Sequence, residues 1–420
     1  MLFRSNNQYA STFTNVFYAA DGTVQSVGLI PSATANPDLK WETTTSRNLG
    51  IDMGFFNDRI SANMDIYMNT TEDLLLRTQI PSSSGYTTQF KNVGSTENKG
   101  IEFTLTTRNI RSPKLSWTTD FNFAVYKNKV TGLNQEATFS QESFVESIYF
   151  SAYYEAFLVK VGEPLGLVYG YVSDGFYGVD DFDFNPANGQ YTLKDNVPGF
   201  VGMSVKPGDM KFKDLGGPLT DNGSPQITPD DDRTIIGRTQ PKFFGGFNNS
   251  LNFYNFDLSV FINFSVGNDV LNANKILYTS GYNSNRNLLA DMRSYFTYVN
   301  NQGEWITTPD ELREVNKDAE IWAPERDLPR RIYSWAVEDG SFIRINNVTL
   351  GYTIPKAISQ RVNIDNLRLF ATGYNLYILT NYSGFDPEVN GVRRTPYTPG
   401  VDQSSYPKSK SVIAGLNITF

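Results

Sequence analysis

Cysteine and histidine are both missing from the 420 residues of this chain. Their absence removes thiol nucleophiles, disulfides, imidazole bases and nearly every zinc, copper or haem site, so that carboxylate chemistry is the only acid–base chemistry left. A basic excess is missing too: the net charge is -8 and the sequence pI near 4.9. Nucleic acid is therefore excluded as a partner, because phosphate binding needs a basic stripe. Nor is there a run of about 18 apolar residues of the kind a membrane-spanning helix requires. The mean hydropathy of -0.37 is that of a water-exposed chain. A membrane barrel is not excluded by this, since its strands are apolar on one face only.

Aromatic residues are abundant: 24 Tyr, 30 Phe and 5 Trp make up 14% of the chain. Helix-forming Ala-Leu-Glu-Lys runs are scarce and Gly- and Asn-rich turns recur, which favours strands. The strongest local signal is strict alternation. Leu49, Ile51, Met53 and Phe55 interleave with Asn48, Gly50, Asp52 and Gly54. After the turn pair Asn57-Asp58 the pattern resumes as Ile60, Ala62, Met64, Ile66 and Met68. Such a period of two predicts a hairpin with one apolar face. The rhythm returns near 101–105, 115–125, 243–254, 256–266, 342–352, 367–378 and 412–420, and further strands are expected near 152–161 and 165–176. About eleven strands result, each close to the length that crosses a bilayer at a tilt.

The connections alternate in length. Tight turns at 57–58, 109–114, 162–164 and 255 are each followed, one strand later, by a long segment: about 70–99, 127–151, 177–242, 267–341 and 379–411. A soluble sandwich has no reason to gather every long loop at one end, whereas a transmembrane barrel does, with short periplasmic turns and long outer loops. The fold expected is therefore an all-β, antiparallel transmembrane β-barrel, present in part, with residues 1–45 forming a loop and an incomplete strand and 46–420 the barrel strands. On the alternating face Leu258, Val260, Ile262 and Phe264 would meet lipid. Asp257, Ser259, Asn263 and Ser265 would line the lumen, and Phe261 interrupts that polar face. Trp117 and Tyr126 read as an interfacial girdle. A short helix is expected from Thr308, which would cap it, through Pro309 to Glu314.

Several segments resemble, in order, the SusC/RagA family of TonB-dependent outer-membrane transporters: Asn36-Pro37-Asp38-Leu39-Lys40-Trp41-Glu42, Asn48-Leu49-Gly50-Ile51-Asp52, Lys99-Gly100-Ile101-Glu102, Gly208-Asp209-Met210-Lys211, the run from Phe342 to Tyr352, Asn375-Leu376 and Phe385-Asp386-Pro387-Glu388. The resemblance runs from about Asn36 to Phe420 and implies the C-terminal half of a barrel of the roughly 22-stranded, plugged class. It further implies import of large nutrients, of glycan or peptide class, across the bacterial outer membrane beneath a SusD-like lipoprotein. The family's plug domain, Ton box and signal peptide are not recognisable in this sequence, so coupling to TonB would lie in a preceding part. The other classes open to the sequence are a surface or soluble β-domain that binds carbohydrate and a carboxylate-based glycoside hydrolase. The 44 Asp and Glu offer candidate pairs for the latter without marking one.

Three sets of candidate residues follow. Tyr282, Trp305, Trp322 and Trp335, in the longest outer segment, could stack on sugar rings or hold peptide side chains, or could build that segment's own small core or meet a partner protein. Asp214, Asp221, Asp230, Asp231 and Asp232 supply the oxygen ligands calcium prefers, although Pro225 stands where an EF-type loop needs Gly; otherwise they are a solvated acidic loop, and no cofactor is required. Val412, Ala414, Leu416, Ile418 and Phe420 form a period-two stripe that resembles the terminal signal read by the barrel assembly machinery, and its apolar side would face outer-membrane lipid.

Overall fold

The computed structural model describes residues 13–18, 24–30, 36–80, 83, 85, 88–133, 135–136, 139–140, 143–149, 153–220, 222–279, 287–324, 331–389, 391 and 397–420. Within the first 45 residues, β1 (Phe13–Tyr18) and β2 (Val24–Ile30) pair as an antiparallel hairpin. The wall then begins with β3 (Thr43–Phe55), β4 (Ile60–Gln79), β5 (Thr88–Arg111) and β6 (Leu115–Gly132). Next come β7 (Ser143–Tyr149), β8 (Tyr153–Lys160), β9 (Leu167–Tyr171) and β10 (Arg233–Arg238). The wall resumes with β11 (Phe243–Phe253) and β12 (Phe256–Val266). Beyond these lie β13 (Asp269–Asn272), helix α1 (Ala273–Thr279), helix α2 (Pro309–Val315) and β14 (Val337–Asp339). The chain finishes with β15 (Phe342–Thr353), β16 (Asn366–Thr380), β17 (Val401–Asp402) and β18 (Ser411–Thr419).

One sheet of nine strands dominates, in the order β18-β16-β15-β12-β11-β6-β5-β4-β3, antiparallel throughout. Two of the strands expected in this wall are elsewhere. The segments near 152–161 and 165–176 do form strands, but as β8 and β9 they join the separate sheet β10-β9-β8-β7, while β6 pairs directly with β11. Their apolar side chains, Phe157, Val168 and Tyr171 among them, are buried in a core rather than turned to lipid. Their apolar residues are contiguous rather than alternating, with Ala156 and Phe157, and Leu167 and Val168, buried on both faces, as in a strand enclosed by a core. Removing a pair leaves parity intact, but the long segment expected at 70–99 is itself mostly strand, the paired far halves of β4 and β5 with only 80–87 between them.

Register carries the alternation across the sheet. Ile51, Met64, Phe103 and Phe123 are neighbours on β3 to β6, and Leu251, Leu258, Leu350 and Ala371 on β11 to β16. All lie on one face, because opposed residues in a ladder point to the same side. Ten intervals along β12, from Phe256 to Val266, give roughly 34 Å at about 3.4 Å each. At a tilt of about 40° this is roughly 26 Å of height, the thickness of a barrel's apolar band. The opposite face is polar and internally bonded. Thr106 donates to Asp120 at 2.8 Å, the Thr349 and Thr372 hydroxyls meet at 2.9 Å, and Arg368 pairs with Asp257.

The turn between β3 and β4 places Phe56, Asn57 and Asp58 at φ of 54°, 53° and 59°, left-handed values that Asn and Asp tolerate best. Near that end the apolar face carries Trp117, Phe253 and Phe256, with Phe256 and Tyr352 rings 4.6 Å apart, an aromatic belt at the membrane interface. Tyr126 is not part of it. It lies on the polar face, in register with Gly100, and its ring meets Phe244 edge-on at 6.0 Å.

Candidate functional site

At the end of the wall opposite the tight turns, the long segments fold together rather than trailing as separate loops. Ile148, Phe157, Val168, Phe212, Ile227, Leu271, Ile276, Trp322, Tyr333 and Val401 share one buried core. These residues come from segments far apart in sequence, so the unit is set by burial of apolar surface, which is directionless and reads poorly from local pattern. It meets the wall through an apolar cluster of Val130 on β6 and Leu76 on β4 with Val159 on β8, and polar bonds tie it to the segment that leaves β16. Glu338 on β14 accepts from Asn272 at 3.0 Å, from the Ser383 hydroxyl at 2.8 Å and from the Ser383 backbone at 2.9 Å, and lies 3.5 Å from Lys275. Burial works against its ionised form, but the Ser383 and Asn272 hydrogen bonds and Lys275 outweigh burial and hold its pKa below the usual range. Tyr382 donates to Asp402 at 2.6 Å.

Where the polar face of the wall meets this unit there is a cavity of about 540 Å³. Asn122, Gly246 and Asn263 line it from one inner-face row of β6, β11 and β12, and Phe244 and Phe261 from the rows on either side. Pro387, Glu388 and Val389 close it from the segment after β16. The Oδ1 of Asn263 is buried there with no hydrogen-bond partner among the described residues. Gly246 matters because a Cβ in its place would come within 2.9 Å of the Phe261 ring. Phe261, the interruption read in the polar stripe, thus packs into this cavity. Next to Asn263 in register, Arg344 donates to Asp386 at 2.6 Å, and both are buried. That bond fixes the residue immediately before Pro387. The chamber offers carboxamide donors and acceptors beside phenyl rings, a combination that suits a hydrogen-bonding, partly apolar solute.

The candidates read from sequence are placed as follows. Trp322 is only 4% exposed, with its ring 5.0 Å from Trp335 and 5.7 Å from Tyr333 in the core of the outer unit. Burial leaves it no face for a ligand, and of the roles weighed for it the core one holds. Trp335 is half-buried against Trp322, with the Lys275 ammonium 3.8 Å over its ring. Trp305 is 75% exposed on the outer surface, and Tyr282 lies outside the described residues. The acidic set does not converge, and among the described residues no group of three carboxylates could hold a metal ion. Asp232 is fully buried and accepts from the Leu215 and Thr228 backbones at 2.7 and 2.6 Å, as a loop anchor does. Asp214 closes its own turn on Gly216, Asp231 bonds Thr228, Asp230 is exposed, and Asp221 lies outside the described residues. Val412, Ala414, Leu416 and Ile418 lie on the outward face of β18 with the stripe's exposed Phe420 after them, and among the described residues β18 pairs with β16 alone. The cavity was missed from sequence, although the runs containing Arg344 and Asp386 stood out.

The chain matches the family described as TonB dependent receptor-like, beta-barrel, over residues 3–376. It belongs to that family. TonB-dependent receptor P3 of Formosa agariphila is 33% identical over 409 residues, covering 96% of this chain and 36% of the relative. TonB-dependent receptor SusC of Bacteroides thetaiotaomicron is 25% identical over 437 residues, covering 100% of this chain and 35% of the relative. Among solved structures, one described as the RagAB peptide transporter superposes with a TM-score of 0.68 at 23% identity, over 98% of this chain and 38% of that one. This TonB-dependent receptor chain thus spans a little over a third of the relatives it matches. The resemblance to SusC/RagA read from ordered motifs is borne out, as are the partial outer-membrane barrel and the outer-membrane location.

Proposed function

We propose that the chain forms wall and outer chamber of a TonB-dependent importer for large nutrients of glycan or peptide class, working with a SusD-like surface lipoprotein. The observation that carries this is the division of one nine-stranded sheet into an apolar outer face and a polar inner face, with the long segments folded over a chamber at one end. The reading as passage rather than hydrolysis is supported by Asp52, Asp65, Asp120 and Asp257, each bonded to wall neighbours, while Glu102 stands opposite Asp65 on the same face. Asp52, Asp120 and Asp257 are thereby held as parts of the wall rather than as the free acid–base pair glycosidases use. Coupling to TonB would come from the parent protein outside this chain.

The test is growth of the source bacterium, with and without the intact parent gene, on a panel of purified glycans and peptides as sole nutrient. Loss of growth on one polymer class, reproduced in wild-type cells by a protonophore that collapses the proton-motive force, supports an energised importer. Unchanged growth and unchanged uptake of every polymer would contradict it.

A further inference from the structure

The outward face of the wall changes character abruptly on β3 to β6. Its apolar band ends there in the row Leu49, Ile66, Ile101 and Val125, four residues in register across adjacent strands. The next row toward the long-segment end reads Arg47, Met68, Lys99 and Lys127, and one pair further on Lys129 stands opposite Glu97. On this face, four cations thus gather around one carboxylate, with Glu97 3.1 Å from Lys99. The next acidic residue on the face, Glu72, is four positions beyond Met68 along β4. Arg47, Lys127 and Lys129 are exposed and form no ion pair among the described residues.

Lys99 and Lys127 are directly opposed, and like charges so placed repel. The fold gains nothing from that pair, and with Glu97 engaged by Lys99 the neighbouring Arg47 and Lys127 are left for an anion outside the chain. The two rows also enclose a groove of about 580 Å³. Leu49, Ile66, Ile101 and Val125 make its aliphatic floor, and Arg47, Lys99 and Lys127 its edge. An apolar slot that opens onto a row of cations at the limit of the membrane band has the amphipathic shape of a lipid molecule. Phe243 and Val266 continue the apolar row on β11 and β12, and two positions beyond them, level with Lys127, stand the uncharged Pro241 and Asn268, so the cation row is local and not a general property of the rim.

We infer that this groove binds an anionic, phosphate-bearing lipid of the outer leaflet. The headgroup phosphate is held by Arg47, Lys99 and Lys127, and an acyl chain lies along Leu49, Ile66, Ile101 and Val125. The leaflet follows from the orientation of the wall, whose long segments lie outside.

The test uses the intact parent protein in mild detergent, with lipid retention read by native mass spectrometry. Phosphatidylglycerol should be retained in preference to phosphatidylcholine of the same chains. Replacing all three cations (Arg47→Gln, Lys99→Gln, Lys127→Gln) should weaken retention about a hundredfold, at about 1 kcal/mol per cation near an anionic surface and 1.4 kcal/mol per tenfold. The inner or turn-end changes Lys114→Gln and Arg361→Gln should leave it unchanged, and Arg47→Lys should keep most of it. Equal retention of the two lipids by the wild-type protein would overturn the inference, as would a triple variant that binds phosphatidylglycerol normally. Competition by inorganic phosphate at the lipid's own concentration would also overturn it, because the acyl chain would then contribute nothing. If the triple variant fails to insert, the wild-type contrast between lipids and the single Arg47→Gln variant still decide the matter.

Discussion

Arg344, on the inner face of β15, donates to Asp386 at 2.6 Å, and neither side chain is more than 7% exposed. The bond fastens the segment after β16 to the wall beside the chamber, and Glu388, 3.5 Å from the same guanidinium, lines that chamber. A buried pair of this kind is held by mutual compensation, since each charge alone would be left desolvated.

Asp386→Ala should therefore destabilise the outer unit by about 3–5 kcal/mol, the cost of stranding a buried charge. Arg344→Met with Asp386→Leu should recover most of it. Protease cleavage in residues 381–410 of the intact parent, followed over increasing urea, checks both. Equal susceptibility of Asp386→Ala and wild type would show that the pair does not hold the segment.

Glu338 gives the outer unit a pH dependence of defined sign. Its carboxyl titrates below the ordinary value of 4.5, because the Ser383 and Asn272 hydrogen bonds and Lys275 outweigh its burial. Its contribution is thus complete above about pH 4.5 and lost as pH falls through the lower, folded-state pKa. Between pH 6 and pH 3 the wild-type unit should loosen more than that of Glu338→Gln, which is already weakened at pH 6. Hydrogen exchange of residues 337–339 and 381–384 reports the difference.

The alternation of the chain made the wall legible: its apolar face, its turns and the short helix at α2, where Thr308 accepts from Glu311, were all readable. The destination of the hairpin at 152–176 was not. Strands β8 and β9 are apolar on both faces, with Ala156 and Phe157, and Leu167 and Val168, buried at consecutive positions, and the pairing of β9 with the distant β10 completes their separate sheet. The buried place of Trp322 is hidden for a like reason, because its partners Tyr333 and Trp335 come to it through the packing of a whole unit.

The unpartnered Oδ1 of Asn263 makes a prediction in which stability and function diverge. Replacing a buried, unsatisfied amide by an apolar side chain of similar shape is neutral or stabilising, so Asn263→Leu should keep or raise the melting temperature of the parent. If the chamber binds the passing nutrient, its uptake should fall roughly tenfold, the worth of about one hydrogen bond. Gly246→Val, whose Cβ would crowd Phe261, should cut uptake as well. Normal uptake by both variants would remove the chamber from the path.

Expressed alone, the chain should not make a sealed pore. Among the described residues its sheet is open, with β3 and β18 each paired on one side, and unpaired backbone groups cost several kcal/mol each in lipid. Planar-bilayer recordings of the purified chain should show no discrete, stable conductance.

The most direct test of the account is which end of the wall faces the medium. The chain has no cysteine of its own, so single cysteines placed in the intact parent at Ser83, Asn222 and Asn301, and separately at Lys114 and Arg361, can be compared without background from this region. In whole cells an impermeant maleimide should label the first three and spare the last two until the outer membrane is permeabilised. Equal labelling of both sets in intact cells, or labelling of Lys114→Cys and Arg361→Cys alone, would contradict the barrel and its orientation.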